Sequence, residues 1–286
     1  MRRRHFLWGS SALLAAPAIA GTSAPTVISQ HENETGGHVG FYAENTQTGA
    51  TLGWRTDERF VMCSTFKASL AACVLARVDK GLDTLERPLS YTAADIGDLY
   101  APVAKANQAK GQMTIRELCA GAVEQSDNTC ANLLLTHIGG PSVVTAFWRH
   151  LGDKTTRLDD VEPYLNRTPP GAIQNTTTPR SMAFILQHLV SGPVLSAPSR
   201  TILTDWLIRC RTGEHRLRAG LPNEWKIGDK TGNNGKDAAG DIAIIWPTPE
   251  TSIVVCAYTR GGHPTEQQLS SVFAGIGKLV ATRLTA

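Results

Sequence analysis

Hydrophobic positions recur with two different periods along this chain, and the change of period marks out its architecture. Short alternating stretches at residues 39–43 and 51–54 read as strands, and Asn45-Thr46-Gln47-Thr48-Gly49 between them reads as a hairpin turn. From residue 64 the spacing lengthens. Leu70, Val74, Leu75 and Val78 follow the 3.6-residue helical period, and Gly81 closes the segment. Further helices are predicted over residues 114–123, 129–138 (ended by Gly139-Gly140-Pro141), 181–190 and 200–209. Beyond residue 220 the two-residue period returns at 225–231, 241–246 and 251–258, with turns at Asn233-Asn234-Gly235 and Pro247-Thr248-Pro249. A last helix carries Leu269, Val272, Phe273, Ile276, Val280 and Leu284 on one face. Strands at both ends with helices between them predict an α+β fold. One antiparallel sheet is assembled from the two termini, and a helical lobe is inserted in the middle.

The amino terminus stands apart from this pattern. Arg2-Arg3-Arg4 precedes an apolar run over residues 6–19, and Ala18-Ile19-Ala20 offers a small-x-small cleavage site. Arg3-Arg4-His5-Phe6-Leu7 also has the form of a twin-arginine export signal. The apolar run is shorter than the ~20 residues a membrane span needs, so export is expected rather than anchoring. The expected signal covers residues 1–24, and residues 25–286 form one catalytic domain. Cleavage after Ala20 removes three arginines and no acids, which takes the formal charge from +3 to zero. A neutral mature chain has no global attraction for nucleic acid or anionic membranes. The eight histidines show no H-x-H or H-E-x-x-H pattern, and the six cysteines show no C-x-x-C pair. No metal or other cofactor is therefore expected.

Four motifs carry the chemistry, in fixed order. Ser64-Thr65-Phe66-Lys67 puts a hydroxyl and an amine three residues apart, on one face of a helix start. Serine is a weak nucleophile until a base takes its proton. Lys67 can be that base only where burial or a neighbouring cation such as Lys230 drives off its own proton. Ser126-Asp127-Asn128 reads equally as a helix N-cap cluster. Glu162-Pro163-Tyr164-Leu165-Asn166 lies in a Pro-, Asn- and Thr-rich loop at 158–179. Glu162 and Asn166, four apart, can hold one water between them in a helical turn, with Glu162 as its base. Lys230-Thr231-Gly232 ends a strand, and Gly232 leaves room for a substrate along that edge. Lys230 and Thr231 can offer a cation and a hydroxyl to a carboxylate.

Taken together, S-x-x-K, S-D-N, the glutamate motif and K-T-G resemble the class A serine β-lactamases, from about residue 30 to the C-terminus. The resemblance implies a five-stranded sheet with flanking helices and an all-helical lobe, with the active site in the cleft between lobes. The sheet lobe covers about 25–60 and 212–286, and the helical lobe about 61–211. It implies hydrolysis of penicillins and cephalosporins through an acyl-serine on Ser64, in an exported, periplasmic or secreted enzyme that works as a monomer and confers β-lactam resistance. It assigns Ser126 the proton relay to the departing ring nitrogen and Asn128 a hydrogen bond to the substrate amide. The backbone N–H groups of Ser64 and Asn233 would form the oxyanion hole. The other readings are a D,D-peptidase and a β-lactam-binding sensor; neither needs the deacylating water that Glu162 and Asn166 provide for.

Departures from the family pattern are equally informative. The arginine–aspartate pair that closes the neck of the glutamate loop in most relatives is replaced by Asp160 and Asn175. Backbone bonds and proline restraint are expected to hold the loop instead. Ala239 stands where some relatives carry a carboxylate-binding arginine, and Arg216 has the position from which others supply it. Arg218 would then be structural; the alternative is two solvated arginines. Tyr100 resembles the aromatic wall at the cleft mouth, or is a packed loop residue. The family's disulfide partners for Cys119 and Cys63 are replaced by Ala71 and Asn234, so buried free thiols are expected.

Overall fold

The computed structural model describes residues 24–285; residues 1–23, with nearly all of the expected export signal, lie outside them. Five antiparallel strands form the central sheet: β1 (His38–Asn45), β2 (Thr51–Trp54), β3 (Lys226–Asn233), β4 (Ala239–Trp246) and β5 (Ile253–Arg260). Their order is β2-β1-β5-β4-β3, so a strand from the amino-terminal part pairs directly with the last strand of the chain. Phe41 faces Ala257 in that register, and Thr231 faces Asp241 between β3 and β4.

Strand alternation divides the apolar residues between the two faces of the sheet. Val39, Phe41, Ile245 and Val255 meet Ile28 of α1 (Thr26–Thr35) and the inner face of the carboxy-terminal helix, with Leu269, Val272, Phe273 and Ile276. Tyr42, Ile242, Ile244, Val254, Cys256 and Tyr258 point the other way, into a second cluster built with the remaining helices. At the centre of that cluster lies α2 (Phe66–Asp79). Every residue from Phe66 to Ala76 is buried, including Lys67. Its sequence suits this position, because FKASLAAC is small or apolar on all sides.

Around α2 pack α3 (Ile115–Glu124), α4 (Asn128–Ile138), α5 (Pro141–Leu151), α6 (Pro179–Ser191) and α7 (Ala197–Ile208); the last helix, α8, is Glu266–Arg283. Side-chain caps set several of these starts. Thr114 and Glu117 form a capping box on α3, as Thr265 and Gln268 do on α8.

Two of the longer helices were not expected from sequence, nor were the short ones Ala93–Ile96 and Pro102–Ala106. In α1, TVISQHENET is largely polar and buries only Ile28, His31 and Thr35. In α5 the Gly139-Gly140-Pro141 stop also serves as a start, because proline fits the first helical turn and Val144 and Trp148 then face inward. Among the described residues, no single helix is long and apolar enough to cross a membrane.

Candidate active site

A short 3₁₀ turn, Cys63–Thr65, delivers Ser64 to the start of α2. Lys67, one turn on, sends its buried ammonium back to Ser64 Oγ at 2.9 Å. The same ammonium reaches Ser126 O at 2.9 Å, Asn128 Oδ1 at 2.5 Å and Glu162 Oε1 at 3.0 Å. Ser64 Oγ donates to Glu162 Oε1 at 2.7 Å, so hydroxyl, amine and carboxylate are in mutual contact. Burial pushes the Glu162 carboxyl up, but the Lys67 charge and the hydrogen bonds from Ser64, Lys67 and Asn166 outweigh it. Glu162 is left below its ordinary range.

Glu162 is held from behind. Its N–H donates to Asn132 Oδ1 at 3.0 Å, and Asn132 Nδ2 donates to its carbonyl at 2.9 Å. Asn166 Nδ2 donates to Glu162 Oε2 at 2.7 Å, while Asn166 Oδ1 is buried without a partner among the described residues. An acceptor and a carboxylate thus converge as the four-residue spacing predicts.

The S-D-N segment divides its labour. Asp127 is the N-cap of α4, accepting from Cys130 N at 2.8 Å. Its other oxygen accepts from Val103 N and Ala104 N at 2.8 and 3.0 Å. Ser126 sits in left-handed backbone at φ +58°, a strained conformation for serine that turns its carbonyl to Lys67 and its hydroxyl to Lys230. Asn128 N donates to Tyr100 O at 2.9 Å, which fixes the Tyr100 loop. The Tyr100 side chain is 58% exposed at the cavity mouth, so it is not a packed loop residue.

Strand β3 closes the opposite wall. A Cβ on Gly232 would lie 2.8 Å from Met62 O and 2.9 Å from Ser64 N, so only glycine lets the strand run against the turn that carries Ser64. Lys230 is fully buried behind the wall, with its ammonium on Ser126 Oγ at 3.0 Å and Thr231 O at 2.6 Å. Burial lowers it to about 8; repulsion from Lys67 and Arg216 works in the same direction, and Asp229 opposes them. Thr231 Oγ1 meets Thr212 Oγ1 at 2.5 Å.

Arg216 is buried rather than solvated. Its Nη1 donates to Gly232 O and Gly240 O, both at 2.8 Å, and its guanidinium lies 5.3 Å from the Phe273 ring centroid. Glu266 Oε1 approaches Nη2 at 3.7 Å, and Glu266 Oε2 accepts from Asn233 Nδ2 at 3.1 Å. Arg218 pairs with buried Asp229 under the sheet.

These side chains surround a cavity of about 320 Å³ lined by Ser64, Tyr100, Ser126, Asn128, Glu162, Asn166, Thr231, Gly232 and Asn233, with Arg216 at one end. Lys67 and Lys230 lie behind its wall. Asn132, Thr212 and Glu266 escaped sequence reading; only Asn132 left a signal there, as an amide inside the apolar Ala131-Asn132-Leu133-Leu134-Leu135. All six cysteines are buried as free thiols. Among the described residues, no cluster of three potential metal ligands occurs.

Comparison with known proteins places the chain in a family. Residues 25–284 match the model of the beta-lactamase enzyme family. The chain is 42% identical to beta-lactamase L2 of Stenotrophomonas maltophilia over 271 residues, covering 94% of this chain and 88% of that one. It is also 42% identical to a carbapenem-hydrolyzing beta-lactamase KPC of Klebsiella oxytoca, over 87% of this chain and 84% of the relative. Among solved structures, the class A beta-lactamase of the last common ancestor of Gram-negative bacteria superposes with a TM-score of 0.86 at 47% identity, covering 89% and 97% of the two chains. A beta lactamase from Xanthomonas campestris superposes at 0.87 with 41% identity, covering 91% and 96%. The chain belongs to the beta-lactamase enzyme family, as a class A member that hydrolyses β-lactams.

Proposed function

We propose that this enzyme opens the β-lactam ring of penicillins and cephalosporins through an acyl-serine intermediate on Ser64. The observation that carries the reading is the Ser64–Glu162–Lys67 contact set, with Ser64 Oγ 2.7 Å from a carboxylate kept ionised by a buried ammonium. Glu162 takes the Ser64 proton as Oγ attacks the lactam carbonyl. The oxyanion that forms is received by the backbone N–H groups of Ser64 and Asn233. The proton passes through Lys67 and Ser126 to the departing ring nitrogen, which returns Glu162 to a carboxylate. A water held between Glu162 and Asn166 then gives one proton to Glu162 and attacks the ester; the bond from the acyl carbon to Ser64 Oγ breaks, and Glu162 returns that proton to Ser64 Oγ.

Substrate binding falls to the remaining residues. Asn128 and Asn166 flank the acyl group, and Thr231, Gly232, Asn233 and Arg216 receive the ring carboxylate. Lys230 contributes its charge from behind, and Tyr100 borders the mouth. No cofactor takes part in this scheme. The same reading takes residues 25–286 as one monomeric catalytic unit, exported through the twin-arginine signal at 1–24; fractionation of cells carrying Arg3→Lys/Arg4→Lys tests the export.

Benzylpenicillin and intact-protein mass spectrometry test the acyl-serine. The wild type, quenched during turnover, should carry one ring-opened penicilloyl group, and Ser64→Ala should carry none. An adduct on Ser64→Ala would remove the nucleophile assignment. Rates for one penicillin, one oxyimino-cephalosporin and one carbapenem would define the range, the last because of the carbapenem-hydrolyzing relative.

A further inference from the structure

Behind the glutamate loop lies a second cavity, of about 310 Å³, walled by loop residues 168–172 and by the β3–β4 turn. It shares Asn166 with the catalytic cavity, so the two meet across one side chain. Its charged lining is unbalanced. Arg59 and Arg260 face it, against a single carboxylate, Asp237, which already accepts from Asn234 Nδ2 at 2.9 Å.

Arg59 is the unmatched group. Its Nη1 is fixed by Thr155 O and Thr176 Oγ1, both at 3.0 Å, and it is half-buried. No carboxylate pairs with it among the described residues. Arg260 meets Glu58 at 2.6 Å outside the cavity lining, and its Nε is buried without a partner among the described residues. A half-buried guanidinium without a counter-ion can give a ligand anion charge-assisted hydrogen bonds. Loop prolines Pro169 and Pro170 form part of the facing wall and limit its collapse.

We propose that this cavity is a subsite for an anionic group, a carboxylate or sulfonate, at the far end of the substrate's acyl side chain, with Arg59 as its principal partner. The proposal rests on the acyl-serine reading, in which the acyl group lies against Asn166. A side chain continuing past Asn166 leaves the catalytic cavity and enters this one. Arg59 and Arg260 then act as specificity residues, favouring acyl side chains with an outer negative charge over neutral ones of the same size.

The test is a matched pair of oxyimino-cephalosporins, one ending in a carboxylate and the other in its methyl ester. The ratio of their kcat/KM values is measured for the wild type, Arg59→Gln, Arg59→Lys and Arg260→Gln. Benzylpenicillin turnover in each protein corrects for any loosening of the loop. The acid-to-ester ratio should fall about ten-fold in R59Q, be largely kept in R59K and fall less in R260Q. Equal losses for acid and ester, or a ratio unmoved by R59Q, would overturn the subsite and leave the acyl-serine reading standing if benzylpenicillin is still hydrolysed. Inorganic sulfate distinguishes a free-anion site: it should compete with the acid substrate and spare the ester. Equal inhibition of both would also overturn the proposal.

Discussion

Asn175 and Asp160 close the neck of the glutamate loop as an amide–carboxylate pair, Asn175 Nδ2 donating to Asp160 Oδ2 at 2.8 Å. Asn175 Oδ1 accepts from the N–H groups of Asp159 and Asp160 at 2.9 and 3.0 Å, and Asn175 N donates to Asp159 Oδ2 at 3.0 Å. One buried asparagine in left-handed backbone (φ +55°) therefore gathers the two ends of the loop. Side-chain bonds from Asn175, more than backbone bonds and proline restraint, hold the neck.

Asp160→Asn should accordingly be mild, because the new amide can still accept from Asn175 Nδ2. Asn175→Ala should cost more, about 1–3 kcal/mol, because the N–H groups of Asp159 and Asp160 both lose the amide oxygen that accepts from them and Asp160 loses its amide donor. Asn175→Asp should also destabilise, by setting a carboxylate against Asp160. Thermal melts and penicillin deacylation rates check the order. Asp160→Asn as damaging as Asn175→Ala would contradict it.

Arg216→Ala should raise KM for carboxylate-bearing substrates and weaken carboxylate-bearing mechanism-based inhibitors such as clavulanate, by about 1.5–3 kcal/mol of binding. Arg216→Lys should recover only part of this, because one ammonium cannot span Gly232 O and Gly240 O while facing the substrate. Steady-state KM and inhibition constants read the effect; unchanged values in Arg216→Ala would remove its role at the carboxylate end.

The pH profile has two limbs of known sign. Burial lowers Lys230 to about 8, so its positive charge should be present below that pH and lost above it. With the charge gone, kcat/KM for anionic substrates should fall on the alkaline side with an apparent pKa near 8. Glu162 is depressed, so it stays a carboxylate until the pH drops below the ordinary glutamate range. The acid limb should therefore lie below the value for a free glutamate. Lys230→Arg should move the alkaline limb upward and leave the acid limb in place.

The six thiols should be free and slow to react. Cys63 and Cys119 are fully buried, and burial pushes both thiols far up, so little thiolate forms near neutral pH. Ellman titration should count six thiols after denaturation without reductant, and almost none in the native protein. A disulfide between Cys63 and the Lys230-Thr231-Gly232 region, or between Cys73 and Cys119, would contradict this.

The motifs of the candidate site were legible in the sequence because each is local. Ser64 and Lys67 are one helical turn apart, and Glu162 and Asn166 lie on a single short turn, so spacing alone nearly set their geometry. The strands were legible because their faces alternate between two apolar clusters. What stayed hidden depended on distant partners. Asn132 matters because it clamps Glu162, thirty positions away in the chain. Glu266 matters because α8 brings it beside Arg216 and Asn233. Lys230 read as a group facing substrate, but its burial behind Ser126 could be seen only once both lobes were assembled. The polar helix α1 had too few apolar positions to announce itself.

Separating the two chemical steps tests the central claim most directly. Glu162→Ala, mixed with benzylpenicillin and followed by intact-protein mass spectrometry, should acylate Ser64, more slowly than the wild type where Lys67 must take the proton. It should then stall as a stable penicilloyl adduct. A positioned general base contributes about 10²–10⁴-fold, so the adduct should persist long after wild-type enzyme has turned over. Deacylation at the wild-type rate would contradict the account, because Glu162 would then not be the base that releases the acyl group.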